Sequence, residues 1–83
     1  MRIPNLKQEL PVVKPNDVVV ALEKAGFEIK RHTGSHVIVY KSGFRRPISI
    51  PQHPRDLPKG TTRAIIREAG LTVEEFVILL QAT

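Results

Sequence analysis

Hydrophobic positions change their period along the chain, and the changes mark out the elements. Val18, Ala21, Leu22 and Ala25 fall at i, i+3, i+4 and i+7, one face of a helix. Lys14-Pro15-Asn16-Asp17 opens it. Proline suits the first helical position, where no N–H is needed, and Asp17 suits the positive end of the helix dipole. The β-branched run Val18-Val19-Val20 weakens the helix, Ala21-Leu22-Glu23-Lys24-Ala25 favours it, and Gly26 is a natural stop. From Phe27 to His32 the period drops to two. Phe27 and Ile29 share one face and Glu28, Lys30 and His32 the other, which predicts a half-buried strand. Thr33-Gly34-Ser35-His36 then reads as a tight turn, with Gly34 free to take a positive φ. Val37 to Tyr40 is apolar on both faces, as a central strand should be. Lys41-Ser42-Gly43 is a second turn. Arg45 to Ile50 is a third strand with Ile48 and Ile50 inward, and Pro47, lacking a donor, confines it to an edge.

After the strands, residues 51–58 carry three prolines and predict a stiff, exposed loop. A helix follows from Lys59 through Ile65, Ile66 and Ala69, ended by Gly70. Thr72-Val73-Glu74-Glu75 is a capping box for a last helix with Val73, Phe76, Val77 and Leu80 as its buried stripe. Ile78 and Leu79 lie off that stripe, so either the helix is wrapped on several sides or a partner covers it. The order α-β-β-β-α-α predicts an α+β domain, a three-stranded antiparallel meander with helices packed on one face. Residues 1–13 contain Pro4 and Pro11 and show no clear periodicity. They read as an N-terminal arm, partly extended from Leu10 to Val13, ahead of a single domain over residues 14–83.

Composition narrows the picture. At 83 residues the chain has room for one domain and one small core. There is no cysteine, which excludes a disulfide framework, a thiol nucleophile and a cysteine-type zinc site, and fits a reducing cytoplasm. No apolar run approaches the ~20 residues of a membrane span, and the first six residues lack the apolar core of a signal peptide, so no membrane role is expected. The net charge of +5 points to a polyanionic partner, nucleic acid before a membrane surface. Aromatic residues make up only 5% and tryptophan is absent, so a base-stacking platform is not expected. Recognition would rest on backbone and shape.

The candidate chemistry sits in the first turn. An imidazole is the one side chain whose ordinary pKa, about 6.5, lets it give and take protons near neutrality. His36, at the root of a strand, is held by backbone pairing and can still face solvent. Deprotonation of an RNA 2′-OH by one positioned imidazole needs no metal, leaves a 2′,3′-cyclic phosphate, and is worth about 10²–10⁴-fold. From the residues alone His36 is such a base or a strand histidine packed on a neighbour, and it is the family resemblance given below that makes it the candidate base. Ser35 is a phosphate hydrogen-bond donor or a turn residue. It does not sit in a nucleophile elbow, and along a strand its side chain would point away from that of His36. Gly34 would let an RNA backbone approach closely. His53, in the stiff loop, is a second acid or base, a phosphate contact, or a loop histidine without a role. His32 lies on the polar strand face. Lys59, Arg63 and Arg67 recur at i, i+4 and i+8 on one helical face, as phosphate contacts or as a solvated charged face, with Arg31, Arg45 and Arg46 as further candidates. Carboxylates are sparse near the histidines and no metal-ligand spacing occurs, so no metal and no cofactor is expected.

Four motifs in order resemble one family. Leu22-Glu23-Lys24-Ala25-Gly26-Phe27, Gly34-Ser35-His36, Ile50-Pro51-Gln52-His53, and Leu57-Pro58-Lys59-Gly60-Thr61 running into Arg63-Ala64-Ile65-Ile66-Arg67-Glu68-Ala69-Gly70-Leu71 are similar to the HicA (YcfA-like) toxins. The likeness spans roughly residues 10–78. It implies a double-stranded-RNA-binding-domain-like fold and a metal-independent ribonuclease that cleaves mRNA, with the histidine of the Gly-Ser-His turn, here His36, as the catalytic residue. It also implies a HicB-type antitoxin that binds and blocks the toxin. The chain departs from the family at Lys14-Pro15, where a serine or threonine cap is usual, and at Ser42-Gly43-Phe44, a shorter and more apolar turn. A non-catalytic basic RNA-binding module of the same shape is the alternative, and self-association is left open.

Overall fold

The computed structural model describes residues 10–82. Its elements run α1 (Pro15–Lys24), β1 (Glu28–His32), β2 (His36–Tyr40), β3 (Ile48–Pro51), α2 (Lys59–Glu68) and α3 (Val73–Gln81), the expected order. The strands form one antiparallel sheet in the order β1-β2-β3, so β2 is central and β3 is an edge, as expected. Register fixes the faces. Val37 pairs with Ile50 and Val39 with Ile48, and all four are buried. His36 pairs with Pro51 and Ile38 with Ser49 on the opposite face, which stays accessible. Helices α1 and α2 pack on the first face and α3 packs on α1, so the domain has one covered and one open sheet face.

The helix ends are closed by specific partners. Lys14 occupies the N-cap of α1, and its N–H donates to Asp17 Oδ2 at 3.0 Å. A carboxylate three residues on therefore does half of what a serine or threonine box would do. Thr72 and Glu75 form the full box, with bonds of 3.0 and 2.8 Å. Two lysines close helix C-termini. Lys41 Nζ donates to the Ala25 carbonyl at 2.7 Å, and Lys24 Nζ donates to the carbonyls of Leu79, at 3.2 Å, and Ala82. Phe76 is fully buried and pins α3 into the core, where truncation to alanine would cost about 3–5 kcal/mol.

Several expectations are corrected. Phe27 is buried but precedes β1, and Ile29, expected to share its inward face, is 45% exposed. Ile29 does stand opposite buried Val39, but β1 is an outer strand that the helices leave largely uncovered. A bulge between Ile29 and Arg31 then shifts the alternation, so Arg31 faces Ile38 on the open side and His32 faces Val37 on the covered side. His32 thus leaves the face it was expected to share with Glu28. The third strand begins at Ile48 rather than Arg45, because Pro47 cannot donate to the ladder. In α3, Leu79 packs against the core with Val73 and Leu80, while Val77 is only half-buried and Ile78 is 60% exposed. The expected arm lies mostly outside the described residues. Within it, Leu10 and Val13 are buried, and the Val13 carbonyl accepts the Leu57 N–H at 2.9 Å.

Candidate active site

The β1–β2 turn is organised by a hydroxyl. Thr33 N–H donates to the His36 carbonyl at 2.8 Å, and Thr33 Oγ1 donates to the same oxygen at 3.1 Å. Thr33 Oγ1 in turn accepts the His36 N–H at 2.9 Å and the Ser35 N–H at 3.3 Å. One side chain thus satisfies three backbone groups, the full capacity of a hydroxyl. Gly34 does not take the expected positive φ; that conformation belongs to Gly26, Gly43 and Gly70. The Thr33 bonds shape the turn instead, and beyond its two chain neighbours no residue comes within 4 Å of where a Gly34 Cβ would stand.

The turn is anchored sideways. The Ser35 carbonyl accepts the Gln52 N–H at 2.7 Å, and Pro51 stands opposite His36, so the proline-rich loop leaves from beside the turn. His36 opens β2 on the open face of the sheet, half-buried and away from the core. Ser35 belongs to the turn and not to the strand, so strand alternation does not separate the two side chains. Ser35 Oγ lies 3.0 Å from His36 Nδ1, against the expectation that they point apart.

His53 is exposed two residues beyond Pro51, and its Nδ1 accepts the Arg55 N–H at 3.3 Å. That bond closes the Pro54 bend and occupies one ring nitrogen locally. Lys59, Arg63 and Arg67 are all exposed on α2. The path of the chain separates them. β3 ends beside the His36 turn, α2 runs back, and Gly70 beyond its end lies against the Phe44 ring at the far end of the sheet. Lys59 is therefore at the His36 end. Arg67 is about 12 Å farther along the helix at 1.5 Å per residue. With Arg63 it borders a shallow groove over Ile66, Leu71 and Val73. Arg45 and Arg46 border a second groove with Phe44, Pro47, Ser49 and Glu68. Among the described residues the ion pairs are Lys14–Asp56 at 3.5 Å and Lys30–Glu28 at 3.2 Å, so none of these arginines, nor Lys59, is held by a carboxylate there. Nor do any three His, Asp or Glu side chains gather, among the described residues, where they could hold one metal ion.

Sequence reasoning missed Thr33 and Gln52. A threonine opening a four-residue turn is a recognised signal for a hydroxyl-closed turn. The Gln52 contact depends on register and has no local signature.

Fold and turn together define a small basic α+β domain with an accessible imidazole at a hairpin root. A family model described as the HicA toxin of bacterial toxin–antitoxin systems matches residues 15–71. The chain belongs to the HicA toxin family, and its role is that of a toxin with a cognate antitoxin partner. A comparison with curated proteins finds no match. Helix α3 lies beyond the matched segment although Phe76 is part of the core. No helix among the described residues is long and apolar enough to cross a membrane.

Proposed function

We propose that this toxin is a metal-independent endoribonuclease that cleaves mRNA, with His36 as general acid/base. The observation that carries the reading is the half-buried His36 ring, which stands on the open sheet face with Nδ1 engaged by Ser35 at 3.0 Å. His36 Nε2 takes the proton from a ribose 2′-OH. The 2′-oxygen forms a bond to the adjacent phosphorus, the bond from phosphorus to the 5′-oxygen breaks, and that oxygen takes a proton from His53 or from water. The products are a 2′,3′-cyclic phosphate and a 5′-hydroxyl. Base catalysis supplies about 10²–10⁴-fold, and positioning and cationic stabilisation must supply more. Ser35 and the backbone at Gly34 receive the scissile phosphate. Lys59 contacts a phosphate near it, and Arg63 and Arg67 contact the chain farther away. The antitoxin is of the HicB type and blocks this surface.

The test is incubation of the pure toxin with RNA in EDTA, beside His36→Ala. Cleavage by the wild type, lost in the variant with RNA binding retained, supports the reading. Binding without cleavage by the wild type would make the domain a non-catalytic RNA-binding module. Cleavage only on adding a divalent metal would remove the histidine-only mechanism.

A further inference from the structure

We propose that Ser35 is the positioning residue of His36: while donating to the scissile phosphate, its hydroxyl accepts the Nδ1–H of the ring and so makes Nε2 the proton-accepting nitrogen. This inference rests on the endoribonuclease reading above. A neutral imidazole has one donor and one acceptor nitrogen, and the hydrogen bond made by one decides the role of the other. Ser35 Oγ sits 3.0 Å from Nδ1. Beneath the pair, Thr33 Oγ1 accepts the N–H groups of both residues and spends its own hydrogen on the His36 carbonyl. The Thr33 hydroxyl is therefore committed. Among the described residues, Ser35 Oγ is bonded to Nδ1 and to nothing else.

The direction of that bond follows from counting hydrogens. A serine hydroxyl has one. If it goes to Nδ1, Nε2 carries the ring hydrogen and cannot take a proton from RNA. If it goes to an anionic phosphate oxygen, the bond is charge-assisted and roughly twice as strong as a neutral one. Only the oxygen lone pairs then face the ring, and Nδ1 must be the donor. Arrival of the phosphate thus selects the basic form of His36. The turn is open to such a ligand, since Gly34 and Ser35 are both exposed and no residue beyond the chain neighbours of Gly34 stands over it.

The test uses ring ¹⁵N shifts of His36, taken where they no longer move with pH, with an all-2′-O-methyl oligoribonucleotide bound to wild type, Ser35→Ala and Ser35→Thr. Wild type and Ser35→Thr should show hydrogen on Nδ1, and Ser35→Ala should show it on Nε2. With cleavable RNA, kcat of Ser35→Ala should fall about 10- to 100-fold, a part of the full acid–base effect. Ser35→Thr should restore most of it. Loss of the phosphate contact also lowers kcat, because charge grows on that oxygen in the transition state, so the ring shifts and not kcat separate the two roles of Ser35. A bound wild-type ring with hydrogen on Nε2, or the same ring state in wild type and Ser35→Ala, overturns the proposal. An oligonucleotide that does not bind overturns it together with the nuclease reading. A wild type that binds without cleaving overturns the nuclease reading and with it the part of Ser35 in proton transfer, whereas cleavage with the wrong ring state overturns this proposal alone.

Discussion

The two turns of the sheet are built from different materials. The β1–β2 turn is held by the Thr33 hydroxyl and by one backbone bond to Gln52, with its glycine in open space and its residues accessible. The β2–β3 turn is held by aromatic packing and by a glycine in a conformation that other residues adopt only under strain. Phe44 N–H donates to the Lys41 carbonyl at 3.1 Å, Gly43 sits at φ +99°, and Tyr40 Oη donates to the Phe44 carbonyl at 3.0 Å. The Phe44 ring tilts at 57° onto Phe27, 5.1 Å between centroids, and also covers Gly70. A polar turn of the first kind contributes little apolar burial. It leaves hydroxyl and imidazole groups aimed at solvent, where a ligand can use them. The second ties sheet to helix through Phe44, and its exposed side chains include Arg45 and Arg46 rather than a titrating imidazole. Function and stability should therefore separate between them on mutation.

The largest effect should come from the first turn and fall on activity. His36→Ala should lower RNA cleavage by about 10²–10⁴-fold. The urea midpoint should stay near that of the wild type, because the ring is not part of the core. A lowered midpoint would mean that the histidine is a packing residue. Next comes the second turn, with the opposite signature. Phe44→Ala should cost roughly 2–3 kcal/mol, below the 3–5 of a fully buried phenylalanine, because this ring is only partly covered. Gly43→Ala should cost about 1–2 kcal/mol, since an L-residue is strained at that φ. Cleavage measured well below the melting temperature should be retained in both. Loss of cleavage without loss of stability would place the Arg45–Arg46 loop in the active surface and blur the contrast.

Much of this contrast was legible in the chain, for a physical reason. Elements set by local period were readable: the α1 face, the central character of Val37–Tyr40 and the Thr72–Glu75 box stand where the sequence placed them, and the third strand is an edge as expected although it starts only after Pro47. What escaped depends on residues far apart. The bulge that turns His32 to the covered side is a property of the β1–β2 register. Lys24 closes a helix end 55 residues away. Helical spacing gives the spread of Lys59, Arg63 and Arg67, but that Lys59 and not Arg67 lies at the His36 end follows from the return path of α2. At the candidate site, the position of His36 at a strand root was readable because turn and strand signals adjoin there. Its contact with Ser35 was hidden by applying strand alternation one residue too early.

A smaller effect tests the hydroxyl scaffold. Thr33→Val keeps the shape of the side chain and deletes the acceptor of two N–H groups. Those groups are exposed and can turn to water, so the cost should be about 1 kcal/mol. Hydrogen exchange of the Ser35 and His36 amides should speed up while the rest of the sheet stays protected. If those two amides keep their protection, Thr33 is not what holds the turn.

The smallest effect on stability should be at Gly34, and it is the sharpest test of the contrast with Gly43. With no positive φ to relieve and no residue beyond its chain neighbours within 4 Å of the added methyl, Gly34→Ala should lower stability by no more than about 0.5 kcal/mol. A gain of about 0.4–1 kcal/mol is the upper expectation, because alanine has fewer unfolded conformations to lose. The turn has no conformational need for glycine, so any need must come from outside the folded chain. If an RNA backbone passes close to this turn, the methyl occupies its path, and cleavage should fall although the protein melts as before. Equal cleavage by wild type and Gly34→Ala would show that the substrate does not approach here. A destabilised Gly34→Ala would mean that the first turn needs its glycine as the second does, and that the two are not built differently after all.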